Sequence, residues 1–171
     1  IVWDRATGEP VGPGLGWQDL RTIGACLVYK GEGFRFAPNQ AATKLQWLLD
    51  TFDADRTRDL CFGTVDTWIT WVLSEGTAHV TDATNAAVTG IQVVDQPEQW
   101  NARVLDALRI PARMLPQIVD SAAVVADARA LPGAPPIACL LGDQQASLLG
   151  QGCVHPGDAK ITFGTGGMLD L

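Results

Sequence analysis

Residues 136–145 read Pro-Ile-Ala-Cys-Leu-Leu-Gly-Asp-Gln-Gln, and residues 160–167 read Lys-Ile-Thr-Phe-Gly-Thr-Gly-Gly. The apolar run over 137–141, bounded by proline and glycine, predicts a short strand that is buried on both faces. Asp143 would then follow the carboxyl end of that strand, which is where α/β sheets bind ligands. The second stretch predicts a strand, a glycine turn and a strand, and the backbone N–H groups of such a turn can bind an anion. An acid beside an anion site indicates phosphoryl transfer.

Each half of this pattern also has a purely structural interpretation. Glycines between two apolar segments are common in hairpin turns, because glycine adopts positive φ without steric cost. Asp143 precedes a segment with helical character and could simply cap that helix. Taken one at a time, the two motifs favour structure over catalysis, so the chemical interpretation depends on the rest of the chain.

Further motifs occur along the chain in a fixed order. They are Trp17-Gln18-Asp19, Thr43-Lys44-Leu45, Phe62-Gly63-Thr64-Val65-Asp66-Thr67-Trp68, His79-Val80-Thr81-Asp82 and Met114-Leu115-Pro116. Together with the stretches over 142–146 and 159–166, they make nearly the whole chain resemble the glycerol kinases of the FGGY carbohydrate kinase family. One short motif would be weak evidence, whereas half a dozen in the same order argue against chance.

The resemblance implies an α/β fold that is part of an actin-like, ribonuclease-H-like ATPase. Residues 1–135 would form the C-terminal part of the N-terminal, substrate-binding domain, and residues 136–171 would begin the C-terminal, nucleotide-binding domain. ATP and Mg²⁺ are the implied cofactors. The expected reaction is ATP-dependent phosphorylation of a small polyol, with glycerol giving glycerol 3-phosphate as the first candidate.

The resemblance also implies roles for individual residues. Asp143 would accept the proton of the attacking hydroxyl and would contact Mg²⁺ directly or through a water, while Gln144 would hold a substrate hydroxyl. Phosphoryl transfer has a loose transition state, so positioning and charge neutralisation are the main tasks of such residues. The nucleotide phosphates would lie against Gly164, Thr165 and Gly166.

Three positions concern the substrate. Trp17 matches a tryptophan that packs on the carbon chain of glycerol in the family, although the residue alone favours a core position. Asn39 stands where the family usually has a tyrosine, and Met168 stands where it has an aromatic ring, so both changes would remodel the pocket. A ketose of the xylulose or ribulose type, or another polyol, is therefore the alternative substrate.

The chain has no initiator Met and lacks the first phosphate loop of the family, its Arg-Glu pair and most of the nucleotide-binding half. We therefore expect a central fragment that is inactive by itself. A truncated, non-catalytic module that at most binds a partner is the remaining hypothesis. The family assembles its site between two domains, so half of that site would be missing.

Composition limits the possible partners and compartments. The net charge is -7 and the pI is near 4.6, which argues against nucleic acid and anionic membranes as partners. Four cysteines without Cys-x-x-Cys spacing predict reduced, buried thiols. No segment has the apolar length of a membrane span, and residues 1–16 lack the features of a signal peptide. We expect a cytoplasmic protein whose full-length form could be a homo-oligomer.

Periodicity and turn signals predict the local elements. They are a hairpin of residues 1–3 and 15–17, a helix that begins at 18–22, a helix over 41–52, a core helix over 65–76 and a helix over 98–108. Lys44 is predicted to be a solvated stem. Asp66, Asp82, Thr84 and Asn85 are predicted to be structural.

Overall fold

Short strands and helices alternate along the chain. The computed structural model describes residues 1–164 and 166–170. In chain order its elements are β1 (Val2–Asp4), α1 (Ile23–Gly31), α2 (Ala42–Phe52), β2 (Leu60–Phe62), α3 (Val65–Leu73), β3 (Val80–Asp82), α4 (Ala83–Ala87), β4 (Gln92–Val93), β5 (Gln96–Trp100), α5 (Ala102–Leu108), β6 (Gln117–Val119), β7 (Ala126–Asp127), β8 (Pro136–Ile137), α6 (Asp143–Gly150), β9 (Lys160–Phe163) and β10 (Gly167–Asp170).

The strands pair two by two. Antiparallel pairs join β1 to β2, β4 to β5, β7 to β8 and β9 to β10, and β3 runs parallel to β6. Packing divides the chain into two compact units, residues 1–140 and 141–171. The domain boundary near residue 135 stays a prediction.

The core of the first unit forms around α2, as the spacing of its apolar residues predicts. Leu45, Leu48 and Leu49 are buried and belong to the same cluster as residues of β1, β2 and α5. Truncating one of these leucines to alanine would cost about 2–5 kcal/mol of stability. The predicted helix over 41–52 is confirmed, with its first residue at Ala42.

A second cluster is aromatic. Trp3 is fully buried, and its ring lies 5.0 Å from Trp68 and 5.7 Å from Trp71, measured between ring centroids. His79 stands edge-on to Trp3 at 5.4 Å, and its Nε2 lies 2.8 Å from the carbonyl oxygen of Phe62. Burial lowers the pKa of His79 below 6.5, so the ring is held in its neutral form.

The prediction for the amino-terminal region is wrong in its strand partner. β1 pairs with β2, placing Trp3 opposite Cys61, and the nearby loop contributes an isolated bridge to Pro10. Residues 15–17 form no strand. Sequence proximity favoured a local hairpin, but pairing with β2 buries Val2 and Trp3 in the two clusters. The next helix begins at Ile23, later than the predicted 18–22.

Two helix predictions are corrected. α3 buries Thr67, Thr70 and Trp71, whereas the predicted core residues listed next are exposed: Val65, Ile69 and Val72. The reason is close packing on Trp3. Its ring lies 5.7 Å from that of Trp71, and a Cβ at Gly63 would lie 2.9 Å from Trp3 and 2.5 Å from the Cβ of Thr67. Residues 96–100 form β5 rather than the start of a helix, because the side chain of Asn101 caps α5 by accepting from the N–H of Val104.

The buried strand predicted over 137–141 is also wrong. β8 contains two residues, and within the described part of the chain its one partner is the short β7, which leaves Ala138 and Cys139 exposed. An apolar run needs neighbouring strands to be buried on both faces, and β7 covers only its first residues. The prediction of buried thiols is confirmed for Cys26 and Cys61 but is wrong for Cys139, which is exposed because β7 does not cover it, and Cys153 is only half-buried.

Candidate active site

Asp143 is the first residue of α6, and its side chain is exposed. Gly142 precedes it in an extended conformation, and Oδ1 of Asp143 accepts a 2.9 Å hydrogen bond from the N–H of Gln144. A carboxylate in the first turn of a helix is favoured by the helix dipole. The bond to Gln144 fixes one oxygen, so the side chain has a defined direction at the start of the helix.

Gln144 is half-buried and its side-chain oxygen is held by two residues of β9. Its Oε1 accepts from Nζ of Lys160 at 3.0 Å and from Oγ1 of Thr162 at 3.4 Å. Lys160 and Thr162 both belong to β9, so the hairpin of β9 and β10 supports the start of α6. The structure thus brings the Gly-Asp-Gln-Gln motif and the glycine hairpin together within the second unit, as both motifs require.

The glycine turn lies between β9 and β10, and these strands confirm the predicted strand, turn and strand. A Cβ built at Gly164 or Gly166 would meet nothing within 4 Å, so the backbone of the turn faces open space. The N–H of Gly164 donates to the carbonyl oxygen of Gly166 at 3.1 Å. Thr165, the third residue of the predicted phosphate contact, lies outside the described residues.

The residues present fit the implied cofactors in part. The open glycine turn has room for a phosphate chain close to its backbone, which is what such a turn provides. Among residues 1–164 and 166–170, no group of three or more His, Cys, Asp or Glu side chains could hold a metal ion. Mg²⁺ keeps several waters and binds one or two carboxylates together with substrate phosphates, so Asp143 alone is compatible with it.

Trp17 lies in the first unit, in the turn that follows Gly16, and 55% of its surface is exposed. The segment is held by Lys44, whose Nζ donates to the carbonyl oxygens of Gly16 at 2.8 Å and Trp17 at 3.4 Å. Exposure removes the core interpretation of Trp17 in this chain. Its contact with a substrate stays a prediction.

Lys44 is only 3% exposed, so the prediction of a solvated stem is wrong. Burial lowers the pKa of Lys44, and the nearby charge of Asp19 opposes that shift. Sequence reasoning missed that two lysines are buried supports: Lys44 holds the segment of Trp17 in the first unit, and Lys160 contacts Gln144 in the second. Their one sequence signal is that each lies in a motif of the resemblance, beside Thr43 or before Thr162.

The two positions that depart from the family pattern are both accessible. Asn39 is exposed in the turn before α2, and Met168 lies in β10 opposite Thr162 with 41% of its surface exposed. Neither side chain makes a hydrogen bond within the described part of the chain. Both are therefore placed where an exchange changes surface shape without breaking the fold.

Two carboxylates of the first unit, the half-buried Asp66 and the buried Asp82, make the local hydrogen bonds expected of structural residues. Asp66 accepts from the hydroxyls of Thr64 and Thr81, yet burial is the larger effect and raises its pKa. Asp82 caps α4. Burial opposes ionisation of Asp82, but hydrogen bonds from Ser121, the Thr84 side chain and Asn85 together lower its pKa.

Comparison with known proteins identifies the family. The profile of the FGGY family of carbohydrate kinases, N-terminal domain, matches residues 1–150. The chain belongs to this family. Glycerol kinase 2 of Pseudomonas aeruginosa is 42% identical over 186 residues, which cover 99% of this chain and 37% of that protein. Glycerol kinase of Shewanella amazonensis is 43% identical over 185 residues, again 99% of this chain and 37% of that protein.

Solved structures agree with the family. Plasmodium falciparum glycerol kinase with ADP superimposes with a TM-score of 0.90 at 26% identity, covering 99% of this chain and 37% of that one. A sugar kinase from Brucella ovis, described as a xyloylose kinase, gives a TM-score of 0.74 at 23% identity, over 93% of this chain and 34% of that one. The chain therefore has the predicted α/β fold, which is part of the actin-like, ribonuclease-H-like ATPase fold.

The FGGY chain spans about 37% of the length of the curated relatives that it matches. Among residues 1–164 and 166–170, no helix combines the length and apolar character that crossing a membrane would require.

Proposed function

We propose that the whole protein containing this chain transfers the γ-phosphate of ATP to a primary hydroxyl of a small polyol, with glycerol as the first substrate. The observation that carries the proposal is 42% identity to a glycerol kinase across 99% of the chain. The Gly-Asp-Gln-Gln motif and the glycine hairpin, which lie together in the second unit, support the same chemistry.

Asp143 would act on the attacking hydroxyl. Its carboxylate is exposed and held through Oδ1 by the N–H of Gln144, so it can accept the hydroxyl proton as the oxygen bonds to phosphorus and the bond to the leaving diphosphate breaks. Bound Mg-ATP would supply the phosphoryl group and neutralise part of its charge. Gln144 would hold a neighbouring substrate oxygen, and the turn at Gly164 and Gly166 would lie along the phosphates.

The test is phosphorylation by the whole protein with Mg-ATP, with glycerol, dihydroxyacetone, xylulose and ribulose offered side by side. A preference for glycerol, measured as kcat/KM, is the expected result. Exclusive turnover of a ketose would overturn glycerol as the substrate, and no turnover of any of the four would overturn the proposal.

A ketose or another polyol is the second candidate because of Asn39 and Met168. Both side chains are accessible, and neither makes a hydrogen bond within the described residues. If the pocket has been changed for a sugar, Asn39→Tyr and Met168→Phe should together shift kcat/KM towards glycerol. If glycerol is the natural substrate, the same exchanges should leave the order of the four substrates unchanged.

A further inference from the structure

Lys160 is a buried lysine beside the candidate catalytic residues. Only 7% of its surface is exposed, and its ammonium contacts three oxygens. Two are hydrogen-bond acceptors of Gln144, its carbonyl oxygen at 3.3 Å and Oε1 at 3.0 Å. The third is Oδ2 of Asp170, an ion pair at 3.0 Å that lacks hydrogen-bond alignment. An ammonium has three N–H donors, and here they face these three oxygens inside the second unit. The ammonium of Lys160 is therefore directed inward and is poorly placed to bind a phosphate.

These contacts decide which way the amide of Gln144 points. The oxygen and nitrogen of an amide are normally assigned from their hydrogen-bond partners. Here the choice is forced, because an ammonium can only donate and must therefore face Oε1 rather than the NH₂ group. The hydroxyl of Thr162 makes a second contact with the same oxygen. The NH₂ group of Gln144 is consequently turned away from β9.

We propose that Lys160 is a positioning residue that fixes Gln144 as a hydrogen-bond donor towards the substrate. The inference rests on the proposed function, since it assumes that Gln144 contacts the oxygen next to the one that is phosphorylated. It adds a rule of specificity: the neighbouring group on the substrate must offer a lone pair. A hydroxyl or a carbonyl oxygen satisfies that rule, and an ammonium group does not.

The probes are glycerol, dihydroxyacetone and serinol, which is glycerol with an amino group in place of the central hydroxyl and is protonated at neutral pH. The whole protein should use the first two and discriminate against serinol. Lys160→Met removes the ammonium and keeps the stem, so the amide can rotate and accept from serinol. The ratio of kcat/KM for glycerol to that for serinol should then fall about tenfold, the size of one hydrogen bond to a charged group.

Three variants complete the test. Lys160→Arg keeps a buried cation and should retain most of the discrimination. Thr162→Val removes the second donor and should lower the ratio less than Lys160→Met does, which keeps the proposal testable if the methionine variant does not fold. Lys30→Met removes the same charge from an exposed position of α1 and should leave the ratio unchanged.

The outcomes separate the two claims. A uniform loss of kcat/KM on all three substrates in Lys160→Met and Thr162→Val, with the ratio unchanged, would show that Lys160 is merely structural and overturn this inference alone. Absence of turnover on every polyol by the unaltered protein would overturn the proposed function. A reduced ratio in Lys160→Met that arginine restores would support the positioning role.

Discussion

Replacing Asp143 by asparagine separates catalysis from stability. The exchange keeps the shape of the side chain, and the amide oxygen can still accept from the N–H of Gln144 as Oδ1 does at 2.9 Å. What disappears is the basic carboxylate and its interaction with the start of α6. The first loss concerns the transition state, and the second concerns the folded state.

The two magnitudes differ enough to be told apart. Removing a general base lowers kcat by about 10²–10⁴, which corresponds to about 3–5 kcal/mol in the barrier. Losing an exposed charge near a helix N-terminus costs about 0.3–1 kcal/mol of stability. In the whole protein, which is longer than this chain, that is a fall of at most about 4 °C in Tm.

The assay measures kcat with saturating glycerol and Mg-ATP in the whole protein, together with Tm by circular dichroism. Asp120→Asn is the matched control, because Asp120 is also exposed and its Oδ1 also accepts a local backbone N–H, that of Ala122 at 2.9 Å. The control should change neither quantity appreciably. Near-normal turnover by Asp143→Asn would refute the assignment of the base.

Three further predictions concern the supports of the site and the buried titratable groups. Lys44→Met leaves the carbonyl oxygen of Gly16 without its 2.8 Å donor, so thermal unfolding should show a loss of about 2 kcal/mol, or about 4–8 °C in Tm, while Lys30→Met shows none. The pKa of His79 is lowered by burial, so its contribution to stability is complete above pH 6.5 and is lost as the pH falls through the lowered pKa. On acidification below pH 6.5 the urea midpoint should therefore drop more steeply than in His79→Gln. The pKa of Asp66 is raised by burial, so its charge costs stability at neutral pH and the cost disappears on acidification. Asp66→Asn should therefore have a urea midpoint at least equal to that of the unaltered protein at neutral pH and lose this advantage in acid, and a midpoint that is lower at every pH would contradict the argument.

Local patterns predicted the elements whose energetics are local. The apolar spacing of residues 41–52 predicts α2 because that helix buries one continuous face. The glycines over 164–167 predict the hairpin of β9 and β10, since turn and strands are adjacent in sequence. The motif order predicted the family, which the family match over residues 1–150 confirms, while the roles of the site residues stay predictions.

Long-range packing decided what sequence patterns could not. β1 has its partner about 58 residues away in β2, and no local signal distinguishes that pairing from a nearby hairpin. The apolar residues of α3 suggested one buried face, but contact with Trp3 selected the face of Thr67 and Trp71. The burial of Lys44 and Lys160 depends on backbone carbonyls and an amide oxygen that only the folded chain brings within reach.

Two kinds of position therefore occur among the predicted site residues and their neighbours within each unit, and they should respond differently to substitution. Lys44 and Lys160 are buried and hold the segments that carry Trp17 and Gln144. Asn39 and Met168 are accessible and their side chains make no hydrogen bond within the described residues. Exchanges at the accessible pair can alter the shape offered to a substrate at little cost in folding energy, whereas exchanges at the lysines disturb orientation and stability together. If Asn39 and Met168 contact the substrate, as proposed, a change of substrate would be reached most easily through these two positions, with both lysines retained.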